Sequence, residues 1–118
     1  MKNQTITQKL KNATRGIAFT YKTESNFRLH CLSAVIVIIL LAVFQPDWIW
    51  WALIIICIAL VIAAELINTA LENLIDHLHP EIHPQIGKVK DILAGMVLVL
   101  SITAIIIALL AVLDTVGY

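Results

Sequence analysis

The sequence predicts an all-α membrane protein built from three transmembrane helices and an amphipathic N-terminal helix, and three observations lead to this fold class. Of the 118 residues, 60% are hydrophobic and only 14% are charged, which is too apolar for a soluble domain. Three long apolar stretches are separated by polar segments. All eight Lys and Arg residues lie before residue 29 or between residues 87 and 91. Residues 1–118 are therefore expected to form one integral-membrane domain.

Residues 1–28 predict a helix that lies in the membrane interface. Apolar side chains recur there at helical spacing: Ile6, Leu10, Ala13, Ile17 and Tyr21. Basic side chains fall on the other faces of this helix, where they would meet anionic headgroups: Lys9, Lys11, Arg15 and Lys22. No convincing cleavage site follows, so a secretory signal is a poor alternative. Glu24 and Arg28 lie just ahead of the first span.

Residues 29–44 form the first predicted span. As a helix they measure only about 24 Å, so Phe27 is expected to help the chain cross the membrane. Residues 45–47 contain Pro46 and predict a turn. Three tryptophans then form an aromatic belt at the far interface: Trp48, Trp50 and Trp51.

The second predicted span, residues 48–64, carries no charge. No glycine or proline follows until Pro80, so this helix is expected to leave the membrane as one continuous rod. Pro80 and Pro84 predict a loop over residues 77–87. Residues 92–113 comprise 22 uncharged residues, about 33 Å of helix, and form the third predicted span.

Three crossings place the N-terminus and the last predicted loop on the same side of the membrane. Both clusters of Lys and Arg lie on that side, and the positive-inside rule makes it cytoplasmic. The sequence therefore predicts a multi-pass protein of the cytoplasmic membrane. Its N-terminus and any site near this loop would face the cytoplasm, where ATP is available.

One face of the second helix carries the strongest functional signal. Glu65, Asn68, Glu72 and Asp76 follow one another at helical spacing, so they project from a single stripe. Three carboxylates aligned at the edge of a bilayer oppose both solvation and mutual repulsion, and acids inside a membrane usually serve a function. The stripe is therefore a candidate active site.

Metal-assisted phosphoryl transfer is one chemistry that would use this stripe. Carboxylates hold Mg²⁺, the ion neutralises phosphate oxygens, and a further carboxylate can take a proton from an attacking hydroxyl. The four glycines are too scattered for a Walker A loop or a kinase glycine loop, so any ATP site has another design. From the residues alone, proton-coupled transport through Glu65 explains the stripe at least as well.

Two further alternatives stay open at this point. The spacing of four loop residues permits a zinc site, although two prolines disturb it: His77, His79, Glu81 and His83. A purely structural membrane subunit is the other alternative, and it leaves the cost of three aligned acids unexplained. No nucleic-acid partner is expected.

Three blocks of the sequence form a combined pattern: ESNFRLH at 24–30, ELINTALENLID at 65–76 and KDILAG at 90–95. In their order, spacing and position relative to the spans, these blocks resemble the prokaryotic diacylglycerol kinase family, which includes undecaprenol kinases. The resemblance covers nearly the whole chain. It implies a homotrimer of three-span protomers, with sites shared between protomers, that transfers the γ-phosphoryl group of MgATP to a lipid hydroxyl.

The resemblance also implies catalytic and metal-binding roles for individual residues. Glu65 would be the general base that faces the lipid hydroxyl, and Asn68 would orient the catalytic centre. Glu24 and Glu72 would hold Mg²⁺ on the nucleotide phosphates. The depths of these residues agree with their roles, because Glu72 lies about 10 Å nearer the cytoplasm than Glu65 along the helix.

The same resemblance implies contacts with ATP and with the lipid. Besides the two metal-binding acids, the residues expected to bind ATP are Asn12, Glu81, His83, Lys90 and Asp91. Arg28 and Ala94 would lie beside the lipid substrate, together with Glu65. Thr5 and Ala13 stand where enteric members of the family carry arginine and serine, so the contact made by the N-terminal helix would differ here. The acceptor lipid would be diacylglycerol or undecaprenol.

Overall fold

Four α-helices make up the fold. The computed structural model describes residues 3–118, and its helices are α1 (Ile6–Thr23), α2 (Ser25–Phe44), α3 (Trp48–Leu78) and α4 (Pro84–Thr115). That part of the chain contains no β-strand. Helices α2, α3 and α4 are each long and apolar enough to cross a membrane. The predicted all-helical fold with three candidate membrane spans is therefore confirmed.

Helix α1 begins with a reciprocal cap. The Gln8 backbone N–H donates to the Thr5 hydroxyl at 3.2 Å, and the Thr5 backbone N–H donates to Gln8 Oε1 at 2.9 Å. The side chains of Ile6 and Leu10 are exposed. An interfacial position for α1 stays a prediction. Lys2, one of the eight Lys and Arg residues, lies outside the described part of the chain.

A single extended residue, Glu24, separates α1 from α2. Arg28, in the first turn of α2, reaches back so that its Nη1 donates to the carbonyl oxygens of Tyr21 at 2.7 Å and Lys22 at 3.1 Å. These carbonyls belong to the last turn of α1, where a cation also complements the helix dipole. Phe27 is only 2% exposed and packs edge-on against Tyr21. The junction is thus short and held on both sides.

Helices α2 and α3 are joined by the predicted turn over residues 45–47. Gln45 adopts the left-handed backbone conformation, with φ of 53°, and its N–H donates to the Leu41 carbonyl at 2.9 Å. Its side-chain Nε2 donates to the Ala42 carbonyl at 2.9 Å. A left-handed residue ends a helix abruptly, and Pro46 cannot continue it. The chain therefore reverses within three residues.

The turn between α3 and α4 is shorter than the sequence indicated. The predicted loop over residues 77–87 was wrong in extent, because α3 continues to Leu78 and α4 already begins at Pro84. Proline is well tolerated at the first position of a helix, where its missing N–H would have had no partner. His83 caps the new helix, since its Nδ1 accepts from the Gln85 N–H at 3.1 Å.

The packed core lies at the opposite end of the bundle from this turn. Leu41, Ile54 and Ala111 are buried together, one from each of the three long helices. Beside them, the indole Nε1–H of Trp50 donates to Asp114 Oδ2 at 2.8 Å and ties the beginning of α3 to the end of α4. Helix α3 contacts each of the other three helices. It is therefore the central element, and its other end carries the candidate site.

Candidate active site

Helix α3 is longer than the membrane that it would cross. Its 31 residues measure about 46 Å, against about 30 Å for the hydrocarbon core. With Trp48 at one interface, the hydrocarbon ends about 20 residues later, near Asn68. With this placement Glu65 would lie in the last turn inside the hydrocarbon, and Glu72 and Asp76 would lie beyond it. The polar stripe would therefore cross the membrane boundary.

Glu65 is the only buried acid among residues 3–118, with 4% of its surface exposed. Its direct partner is His30 of α2, whose Nε2 lies 3.3 Å from Glu65 Oε1. Glu24 and Glu72 also act on Glu65 electrostatically. The charges of Glu24 and Glu72 therefore influence Glu65, and these three acids are called the acid cluster. His30, which the sequence analysis did not assign, contacts Glu65.

A signal for His30 was nevertheless present in the sequence. His30 lies at the beginning of an apolar span, and a titratable side chain in that position needs a polar partner. Glu65 is the acid at the matching depth of the next helix. The sequence could not show which face of α2 meets α3, and this face decides whether the two side chains meet.

The side-chain oxygen of Asn68, on the same face of α3 as Glu65, is a free hydrogen-bond acceptor within residues 3–118. Its Oδ1 atom is buried and has no hydrogen-bond partner among the residues that the structure describes. A buried polar atom without a partner costs about 1–3 kcal/mol. Because Asn68 follows Glu65 by one helical turn, this acceptor is available to a ligand that also reaches Glu65.

Beyond the membrane boundary, α3 and α4 are joined by an ion pair. Lys90 Nζ lies 2.7 Å from Asp76 Oδ1. Glu72 also acts on Lys90 electrostatically. The side chain of Lys90 remains 37% exposed, so its ammonium is accessible to a phosphate group. Asp91, the next residue and another that is expected to bind ATP, is exposed on the same helix.

Three other predicted positions have simple surroundings. Arg28 is engaged with the last carbonyls of α1. Ala94 and Asn12 are exposed. Neither takes part in a hydrogen bond with the acid cluster within residues 3–118. Their contacts with lipid and with ATP stay predictions.

The loop residues Glu81 and His83 lie apart from the acid cluster. Both are exposed, and no hydrogen bond or ion pair within the described chain connects them to Glu65 or Glu72. The His83 ring packs edge-on against His79, with 5.9 Å between the ring centroids. Within residues 3–118, no three His, Cys, Asp or Glu side chains are grouped so that they could hold a metal ion. The zinc arrangement of the loop histidines is therefore not formed in this chain.

A cavity of about 220 Å³ lies beside the cluster, between α2, α3 and α4. Its walls are mainly apolar and include Val37, Ile58 and Ala104. His30 and Ser33 supply polar groups at the level of the site. Apolar walls with a few polar groups suit a molecule that has a hydrocarbon body and a polar end.

The sequence matches the family described as prokaryotic diacylglycerol kinase over residues 11–112. This match includes the acid stripe, His30 and Lys90. The chain belongs to the prokaryotic diacylglycerol kinase family. Because this is a family of membrane-embedded lipid kinases, the three apolar helices are those of a multi-pass membrane protein.

Relatives within the prokaryotic diacylglycerol kinase family carry two kinds of name. The chain is 36% identical over 99 residues to an undecaprenol kinase of Bacillus subtilis (strain 168), which covers 84% of this chain and 80% of that protein. It is 33% identical over 96 residues to a diacylglycerol kinase of Synechocystis sp., covering 80% of this chain and 55% of that protein. A diacylglycerol kinase of Haemophilus influenzae is 35% identical over 81 residues, covering 69% of each chain.

Proposed function

We propose that this protein is an ATP-dependent lipid kinase that transfers the γ-phosphoryl group of MgATP to the hydroxyl of diacylglycerol or undecaprenol. The observation that carries this proposal is the match to the prokaryotic diacylglycerol kinase family, and the buried position of Glu65 beside the other acids supports it. A lipid hydroxyl reaches such a carboxylate from the hydrocarbon, and a nucleotide reaches the rest of the cluster from the water.

Glu65 is the general base in this proposal. Its carboxylate accepts the hydroxyl proton as the lipid oxygen attacks the γ-phosphorus, while the bond to the bridging oxygen breaks and ADP leaves. The depth of Glu65 supports this role, because the hydroxyl of a membrane lipid also lies near the edge of the hydrocarbon. Asn68, whose Oδ1 lacks a partner within the described residues, orients the catalytic centre in this proposal.

The carboxylates of Glu24 and Glu72 fit Mg²⁺ held together with nucleotide phosphates. Protein sites for Mg²⁺ use one or two carboxylates and complete the coordination with phosphates and water. Within residues 3–118 no three acidic, histidine or cysteine side chains are grouped, so the proposed site relies on these two acids together with the nucleotide. When bound, the ion would neutralise phosphate charge that the acids otherwise repel.

Lys90 contributes positive charge to the phosphate side of the proposed site. Its ammonium interacts with Asp76 and Glu72 and is still accessible to solvent. The other proposed ATP contacts are Asn12, Glu81, His83 and Asp91. None of these four makes a hydrogen bond or an ion pair with the acid cluster within the described part of one chain, and in the proposed trimer a second protomer would bring them to the site.

The proposed acceptor is a lipid alcohol whose hydrocarbon part occupies the apolar cavity beside His30. Arg28 and Ala94 are the other proposed lipid contacts. Diacylglycerol and undecaprenol both present a primary hydroxyl at the membrane interface. The relatives carry both names, so the choice between the two lipids is made by assay.

A homotrimer with its sites on the cytoplasmic side is part of the proposal. In the most apolar 18-residue stretch of α3, 28% of the residues are buried within the chain, but in the corresponding stretch of α4 only 6% are buried. Helix α4 therefore has free surface for lipid and for neighbouring protomers. The distribution of Lys and Arg supports a cytoplasmic N-terminus.

A radiolabelled ATP assay of the purified protein tests this function. We expect Mg²⁺-dependent transfer of label to at least one of the two lipids, and a parallel assay ranks them. The mass of the detergent-solubilised protein tests the trimer separately. If the folded protein labels neither lipid and instead conducts protons in liposomes without ATP, the kinase proposal is wrong and transport through Glu65 replaces it.

A further inference from the structure

We infer that His30 is a positioning residue for Glu65, which holds one oxygen of the carboxylate so that the other oxygen is presented to the lipid hydroxyl. The inference deepens the proposed kinase function and rests on it, because Glu65 is the base in that reaction. The observation behind it is the contact between His30 of α2 and Glu65 of α3 within one chain.

The contact joins α2 to α3 across a separation of 35 positions in the sequence. His30 Nε2 and Glu65 Oε1 are 3.3 Å apart, the distance of an ion pair. An ionised carboxylate has acceptors only, so His30 can hold Glu65 Oε1 only when its Nε2 carries a proton. Glu65 Oε1 is then engaged, while Oε2 has no hydrogen bond to a side chain within residues 3–118 and can take a proton from a substrate.

The surroundings of Glu65 leave this contact as the main constraint on its carboxylate. The side chain is 5% exposed, so water cannot hold it, and the side chain of His30 is 24% exposed. The other charged groups that act on Glu65 are Glu24 at the α1–α2 junction and Glu72 on α3, and both repel it. Without His30, repulsion and free rotation would move the carboxylate away from one productive geometry.

His30 also connects the base to the apolar cavity. The imidazole lines this cavity, whereas Glu65 does not. A lipid whose hydrocarbon part lies in the cavity would therefore bring its hydroxyl past the ring to reach the carboxylate. The same side chain thus fixes the base and borders the path of the acceptor.

Three variants test the positioning role by steady-state kinetics. We expect His30→Ala to lower kcat about 10²-fold while the KM for ATP changes less than about threefold, because only the geometry of the base is lost. His30→Gln keeps an N–H donor and should retain kcat within about tenfold of the unmodified protein. Leu29→Ala truncates the neighbouring side chain, which is 59% exposed, and should leave kcat unchanged.

Two kinetic outcomes would overturn the inference. In the first, His30→Ala keeps kcat within about threefold of the unmodified protein, which means that the carboxylate needs no such partner. In the second, His30→Gln is as inactive as His30→Ala, which means that a donor at this position is not what matters.

Labelling of Glu65 by a hydrophobic carbodiimide tests the contact without any lipid substrate. The reagent attacks protonated carboxyl groups in apolar surroundings. Since the His30 proton favours the ionised carboxylate, we expect faster labelling in His30→Ala than in the unmodified protein or in His30→Gln. Glu65→Gln supplies the background. Equal labelling of the unmodified protein, His30→Ala and His30→Gln would overturn the inference. The labelling does not depend on lipid phosphorylation. If the labelling rates differ as expected but no lipid is phosphorylated, only the proposed function fails.

Discussion

The two ends of α3 are stabilised in different ways. At the tryptophan end, the helix packs through the buried Ile54, and the Trp50 N–H has its acceptor on Asp114. At the acidic end, Asn68 Oδ1 has no partner in the described chain, and Glu65 contacts His30 while the charges of Glu24 and Glu72 repel it. At the tryptophan end the indole of Trp50 is hydrogen-bonded within the chain, whereas at the acidic end the described residues leave Asn68 Oδ1 free to bind a ligand. Local violations of this kind are typical of functional sites.

This difference shows where the protein derives its stability and where it gives some up. Packing at the tryptophan end does not depend on Glu65, Glu72 or Asp76. The two regions share α3, but no side-chain contact joins them within the described residues. Substitutions at the acidic end should therefore change activity with little loss of stability. Substitutions at the tryptophan end should do the reverse.

The largest expected effect comes from Glu65→Gln. The amide preserves size but cannot accept the hydroxyl proton, so we expect kcat to fall about 10²- to 10⁴-fold while ATP binding is retained. The melting temperature should not fall, because a buried and repelled charge is removed. Asp47→Asn, an acid at the opposite end of α3, is the matched control. A loss of ATP binding as large as the loss of kcat would contradict the base assignment.

Glu72→Ala should have the next largest effect. Removing a proposed Mg²⁺ ligand should lower turnover about 10²-fold at low Mg²⁺ and should be partly relieved at high Mg²⁺. Glu24→Ala should behave in the same way. Asp76→Ala is the control, because Asp76 pairs with Lys90 and is not a proposed Mg²⁺ ligand. The Mg²⁺ dependence of its activity should match that of the unmodified protein. Magnesium titrations of activity that coincide for all of these proteins would remove Glu72 and Glu24 from the metal site.

A smaller effect, on stability alone, is expected at the other end. Trp50→Phe removes the hydrogen bond to Asp114 and should lower the free energy of unfolding by about 1 kcal/mol, with kcat unchanged. Trp48→Phe is the control, because Trp48 is 85% exposed and donates no hydrogen bond within residues 3–118. Thermal denaturation in detergent provides the measurement. Equal shifts for both variants would show that the hydrogen bond does not stabilise this end.

The smallest effect is expected for Asp76→Asn. The Lys90–Asp76 pair is exposed to water, so its loss should change the stability of the protein very little. We expect the KM for ATP to rise about two- to fivefold, since Lys90 loses the partner that positions it, and the difference should shrink in high salt. A lower KM would show instead that Asp76 competes with phosphate for Lys90.

Features within one helix could be predicted from the sequence. The continuity of α3 and the common face of Glu65, Asn68 and Glu72 follow from helical periodicity and from the absence of glycine and proline. The start of α4 could not be predicted in this way. Pro84 is compatible both with a loop and with the first position of a helix, and the cap provided by His83 decides between them.

Contacts between helices lay beyond the sequence. Lys90 and Asp91 are neighbours in the sequence, but the ion pair of Lys90 is with Asp76 on another helix. The pairing of His30 with Glu65 also depends on how α2 faces α3, and the nearly uniform apolar character of α2 does not reveal that face. The residues alone left transport and phosphoryl transfer open, and the match to the family is what favours the kinase.

Because α3 runs without a break from Trp48 to Leu78, its tryptophans and its acids keep a fixed phase and spacing. One alanine inserted after Ile58 would rotate the acids about 100° relative to the tryptophans and turn Glu65 away from α2. Seven inserted residues would nearly restore the direction but would carry Glu65 about 10 Å out of the hydrocarbon. The length of the helix therefore fixes the distance between its tryptophans and its acids, and bilayer thickness determines which of the acids lies at the level of the lipid headgroups.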